Sequence, residues 1–202
     1  MTGESMPPTL DRATRRAQLV SAAASTFAER GVANTPVSEI VKAAGVAQGT
    51  FYLYFNSKDD VVLAVVERFA DTMVDILTRT VAGCRVSAVE EVRALCNAFG
   101  DLTAAPGAAE LVELMHRPEN RALHDRLTER FTPKLVPLLE EIIEQGVVQG
   151  VFAVPDATTA AWFVLGGLHS VELAGTSLAE MPRALAAVGD LALRVLGYQV
   201  LA

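Results

Sequence analysis

The chain is poor in the residues that secreted, metal-binding or catalytic proteins depend on. It has two cysteines, Cys84 and Cys96, in 202 residues. They form no C-x-x-C pair and have no histidine cluster nearby, so neither a disulfide framework nor a zinc site is indicated, and a reducing cytoplasm is the expected setting. The three histidines, His116, His124 and His169, are scattered along the sequence, which argues against a metal centre. No G-x-S-x-G, P-loop, dinucleotide fingerprint or H-E-x-x-H occurs, so enzyme activity has no pattern to rest on and no cofactor is expected. The longest charge-free apolar run lies between Asp156 and Glu172, short of the ~18–20 residues a membrane span needs. Residues 1–11 are polar and include Pro7 and Pro8; they read as a flexible arm rather than a signal peptide.

What is abundant is apolar surface. Hydrophobic residues make up 51% of the chain and the mean hydropathy is +0.31, high for a soluble monomer of this size. A second copy of the chain is the default partner for such a surface. The net charge of −7 at first speaks against nucleic acid, but its distribution is uneven. Residues 1–58 carry six Lys/Arg against four Asp/Glu, whereas the remainder carries eleven against twenty. The positive end is a small module on an acidic body, as a specific binder with a non-sticky body would have it.

That positive end contains the most informative stretch, Thr35 to Lys58. Val37, Ile40, Val41 and Ala44 recur at helical spacing, and Gly45 stops the helix because glycine takes the left-handed conformation of a helix end without steric cost. A second helix is predicted over the segment AQGTFYLYF, with Phe51 and Phe55 on its inner face. Two short helices joined by a glycine turn, with Ala43 and Ala44 at the crossing, make a helix-turn-helix, the second helix sized for a DNA major groove.

From Arg16 to about Val61 the sequence resembles the TetR family of bacterial transcriptional regulators. The likeness runs through R-x-x-L-V-x-A-A-x-x-x-F-A-E-R-G and I-V-x-A-A-G-V-x-x-G-T-F-Y-x-Y-F-x-S-K-D, about the first quarter of the chain. The resemblance implies an all-α homodimer that binds double-stranded operator DNA with its N-terminal three-helix domain and releases it when a small molecule enters the C-terminal bundle. It also implies phosphate contacts for Tyr54 and Lys58, which suit a phenol donor and a point charge. Gln48 and Thr50 are the residues for base edges, and Gly49 permits close backbone approach. Tyr52 either joins them or packs its ring on the first helix with only its hydroxyl in water. Arg16, with Arg12 and Arg15, sits where a cation opposes the helix dipole, so phosphate contact explains it better than helix stability does. The chain departs from the family pattern at Pro36, Ala47 and Leu53. Thr35 is expected to cap the helix that Pro36 opens and is included in the DNA-binding set; Ala47 leaves the start of the second helix without a capping side chain.

The first helix is predicted over Arg12–Arg30, and a long one from Ser57, its cap, to about Val81. Helices are further expected near Ser87–Leu102, over Ala108–His116 and across 119–149, with a kink or break at Pro133 and Pro137. Gly146 to Pro155 reads as a loop. A helix over Asp156–Ala174, apolar on nearly every face, is expected to be buried on two sides. A last helix, Pro182–Gly197, carries a stripe of Leu185, Val188, Ala192 and Val195; by resemblance the last two helices pair with their copies in a homodimer. Residues 12–58 thus form the DNA-binding domain and 59–202 the ligand-binding and dimerisation domain. Met73, Phe99, Met115, His116, Phe131, Trp162, Phe163 and His169 are the pocket residues for a small apolar or amphipathic effector. A helical small-molecule or lipid carrier, or an interaction module whose helix-turn-helix does not bind DNA, is the alternative.

Overall fold

A computed structural model describes residues 11–84, 87–105, 108–116 and 120–199. The N-terminal arm, Pro106, Gly107 and Pro118 lie outside these, and so does the side chain of His116. Among the described residues there are nine helices and no strand: α1 (Arg12–Arg30), α2 (Val37–Ala43), α3 (Gln48–Phe51), α4 (Lys58–Gly83), α5 (Ala88–Ala104), α6 (Ala109–His116), α7 (Arg121–Val148), α8 (Ala157–Leu173) and α9 (Met181–Val195). The chain divides into two compact units, Met1–Val65 and Val66–Ala202, the division falling within α4.

In the first unit α1 buries Leu19, Val20, Ala23 and Phe27, and α2 answers with Ile40 and Val41. Gly45 takes φ +66° in the turn, and the Val46 N–H donates to the Val41 carbonyl at 3.0 Å. The second helix of the motif is shorter than its sequence suggests. Only Gln48–Phe51 are α-helical, and the chain continues through Phe55 in turns, with Leu53 and Tyr54 N–H groups bonded three residues back. Thr35 does not cap α2: its hydroxyl is turned inward and donates to the Gly31 carbonyl at 2.8 Å, and the residue is fully buried. Pro36 itself occupies the cap position, its carbonyl accepting from the Glu39 N–H at 3.0 Å, and the inward Thr35 bond ties the α1–α2 connection together instead.

The second unit is a bundle in which α5 packs along α9, α7 along α8, and α8 along α9. Small residues set the spacing. A Cβ on Gly189 of α9 would meet Cys96 of α5 at 3.1 Å, and one on Gly100 would meet the Pro182 backbone at 2.9 Å. Cys96 is fully buried there, and its burial, with Asp190 nearby, pushes the thiol pKa up to about 12.

Three features of this unit depart from the sequence expectation. First, α7 runs unbroken through Pro133 and Pro137. Both prolines lie on its solvent face, four residues apart, where water satisfies the carbonyls they leave unbonded, while Phe131, Leu135, Val136 and Leu139 anchor the opposite face. The helix also extends past Gly146. That glycine makes room for the Phe152 ring, which a Cβ would meet at 2.0 Å, and its carbonyl accepts the N–H groups of Val151 and Phe152. On α9 the buried set is Met181, Leu185, Gly189, Ala192 and Leu193, whereas Val195 of the expected stripe is half exposed.

α8 starts at Asp156, whose carboxylate accepts from the Thr159 N–H at 2.6 Å. Within one chain it is buried on one side only. Trp162, Phe163 and Leu173 are more than half exposed, as is Leu191 on the neighbouring α9.

Candidate DNA-reading surface and ligand chamber

The first unit presents its polar residues from a rigid base. Phe51, fully buried, meets Phe55 at 5.5 Å, and the pair holds the α3 segment in the unit's core. With those rings inward, Gln48 and Gly49 are exposed, Thr50 is partly exposed, and Tyr52 is 55% exposed with its ring edge-on to Phe51. The ring of Tyr52 is therefore not sequestered against α1. The Arg16 guanidinium lies 5.1 Å over the Phe55 ring and that of Arg12 6.0 Å over the Tyr54 ring, which holds two cations on aromatic faces beside the α3 segment.

Lys58 is placed by a cap. The Ser57 hydroxyl accepts from the Asp60 N–H at 3.1 Å, while the Asp60 carboxylate accepts from the Asn56 N–H and side-chain amide. These bonds, the Asn56 N–H foremost, hold the Asp60 carboxyl below the ordinary carboxylate range. Lys58 itself reaches the Ala33 carbonyl at 3.3 Å. Arg30 is engaged by Glu39 at 3.1 Å. Around the motif, Arg12, Arg15, Arg16, Lys42 and Lys58 are the cations with no carboxylate partner among the described residues; Arg15 bonds the Gln18 amide oxygen. Of the eight DNA-contact residues expected from sequence, Thr35 drops out: a side chain with no exposed surface reaches no phosphate or base.

The second unit holds a chamber of about 150 Å³ bounded by α4, α5, α6, α7 and α8. Of the pocket residues named from sequence, Met73, Phe99, Met115, Phe131, Trp162 and His169 line it. Phe163 does not: it is 61% exposed on the outer face of α8. His124 lines the chamber although it was not among the residues expected there. Two of the histidines come together in space: the His124 and His169 rings lie 4.9 Å apart on the chamber wall. A signal for His124 exists in the sequence. His124, Thr128 and Thr132 recur at i, i+4 and i+8 within the apolar stripe of α7, a polar ladder that faces inward. Among the described residues no group of three or more His, Cys, Asp and Glu could hold a metal ion, and no helix is long and apolar enough to cross a membrane.

A glycine-turned helix pair, with its aromatic residues inward and its amide, hydroxyl and cationic groups outward, defines a helix-turn-helix module of the DNA-binding class. Comparison with known proteins points the same way. Residues 19–65 match the description "Bacterial regulatory proteins, tetR family", and over that stretch the chain is similar to that family. Its sequence is similar to the HTH-type transcriptional regulator YvdT of Bacillus subtilis, 41% identical over 58 residues, which are 29% of this chain and 30% of that protein. The chain spans about a third of the length of the curated relatives it matches. Over most of its length it is similar to the crystal structure of a TetR-family regulator from Pectobacterium atrosepticum, with TM-score 0.76, 25% identity and 93% and 97% of the two chains covered. It is also similar to the fatty acid degradation regulator FadR of Bacillus halodurans, with TM-score 0.65, 27% identity and 98% and 100% covered.

Proposed function

We propose that the chain is a one-component transcriptional regulator, a homodimeric repressor that holds a two-fold operator through its helix-turn-helix units and lets go when a small effector fills the chamber. The observation that carries this is the exposed set Gln48, Gly49 and Tyr52, flanked by Arg16 and Lys58, within and beside the stretch that matches the family. Gln48 and Thr50 read base edges; Arg16, Tyr54 and Lys58 grip phosphates. The uncovered apolar side chains of α8 and α9 support dimerisation through these helices, the mode of burial the chain's hydropathy calls for. A two-fold site then requires reading heads about 34–36 Å apart, or a multiple of that. Effector binding favours a spacing the operator does not fit, and by linkage operator DNA weakens the effector equally. α4, which lines the chamber with Phe69 and Met73 and begins at Lys58, is the element we assign to this coupling.

The test is selection of bound fragments from a random duplex pool at two salt concentrations, with Tyr54→Ala as control. A palindromic site is expected, lost in the variant. Lys58→Ala should weaken binding to every sequence and lower the salt slope by about one, whereas Gln48→Ala should relax preference at one position. A folded dimer that selects no sequence would refute the regulator and favour the carrier or interaction-module reading.

A further inference from the structure

With the chamber taken as the effector site, the reading on which this inference rests, its size and hydrogen-bond inventory narrow the effector to one chemical class. The volume, about 150 Å³, equals that of a dry engineered cavity known to hold benzene. One ring with a small substituent fills it; a long acyl chain does not. Phe99 and Phe131 meet edge-on at 5.4 Å and 67°, and Met73 and Met115 also line the chamber, surroundings that suit an aromatic ring. On α7 Thr128 lies one helical turn from Phe131 and His124 a further turn away, and there the His124–His169 pair lines the wall.

The threonines set the polarity. The Thr128 hydroxyl gives its proton to the His124 carbonyl at 3.0 Å, and the Thr103 hydroxyl gives its own to Gly100 at 2.9 Å. Both therefore offer a ligand lone pairs on oxygen, which match a ligand that donates. No Lys, Arg, Asp or Glu is among the described lining residues, so an ionised carboxylate or phosphate would lose its hydration without a fixed counter-charge. We infer that the chamber binds uncharged monocyclic phenols, the ring packed against the Phe99–Phe131 pair and the hydroxyl donating to the Thr128 oxygen beside the imidazole pair.

Calorimetric titration of the full chain tests this with four probes: phenol, benzene, benzoate and palmitoyl-CoA. Phenol should bind tightest. Thr128→Val should raise its Kd roughly three- to tenfold while leaving benzene unchanged, and Thr128→Ser, which keeps the hydroxyl, should restore phenol binding. Tighter binding of benzoate or palmitoyl-CoA would overturn the assignment, as would a phenol Kd unmoved by Thr128→Val. These titrations involve no DNA. A chain that selects an operator but ignores phenol refutes the ligand class alone, and one that binds phenol but selects no operator refutes the regulator alone.

Discussion

The first unit closes its core with large side chains, Leu19, Ile40, Phe51 and Phe55, and turns amide, phenol and cationic groups outward. The second leaves a chamber unfilled between α4 and α8 and an apolar strip uncovered on α8 and α9. A surface that must meet a rigid, hydrated duplex needs fixed backbones, and a small packed core provides them. On the proposed function the second unit exchanges a guest and a partner, and it keeps unfilled apolar space for them, forgoing the dispersion attraction that filling it would bring. The two units therefore should respond differently to changes of the same kind.

The largest expected effect is at the first unit's centre. Phe51→Ala removes a fully buried ring on which Tyr52 and Phe55 lean, and should cost about 3–5 kcal/mol. Differential melting of the two units, followed by circular dichroism and Trp162 fluorescence, should show the first unit lost while the indole signal persists. Gly146→Ala tests the opposite unit by overpacking. Its methyl would meet the Phe152 ring at 2.0 Å, and the cost should be about 1–3 kcal/mol, read as a lower urea midpoint. Smallest is the pH response of the ion-pair cluster that joins α4 to α7. The hydrogen bonds from Arg130, helped by Lys134, hold the Asp71 carboxyl at about 2, against an ordinary 3.8. Because the folded-state value is depressed, its contribution is fully present above pH 3.8 and is lost as pH falls through about 2. The group is about a third exposed, which screens the effect to below ~1 kcal/mol. The stability gap between wild type and Asp71→Asn should therefore narrow as the pH is lowered from about 6 toward 2.

Local signals make the first unit readable from sequence. Gly45, the Phe51–Phe55 pair and the Ser57 cap act within a few residues of themselves, so their spacing carries their meaning. Thr35 misleads because a threonine before a proline looks the same whether its hydroxyl caps forward or, as here, bonds backward to Gly31. In the second unit helical spacing points to most of the chamber's aromatic and Met residues but misplaces Phe163, since an apolar helix such as α8 gives no periodicity to tell its inner face from its outer. The pairing of His124 with His169 is a tertiary event across 45 positions of sequence, and only the i, i+4, i+8 ladder on α7 hints at it. Pro133 and Pro137 look like breakers because the sequence does not say that both face water.

Cys96, lodged where α5 presses against Gly189, has a practical consequence. With its pKa raised to about 12, it stays a protonated, sheltered thiol at neutral pH and is inert to alkylating reagents while the helices are together. Cys84, partly exposed after the end of α4, has no such shelter. A labelling time course on the unmodified chain should therefore show two steps, a fast one from Cys84 and a slow one set by how often α5 and α9 part. The slow step is a native clock for the opening of the bundle, read without a probe having been introduced.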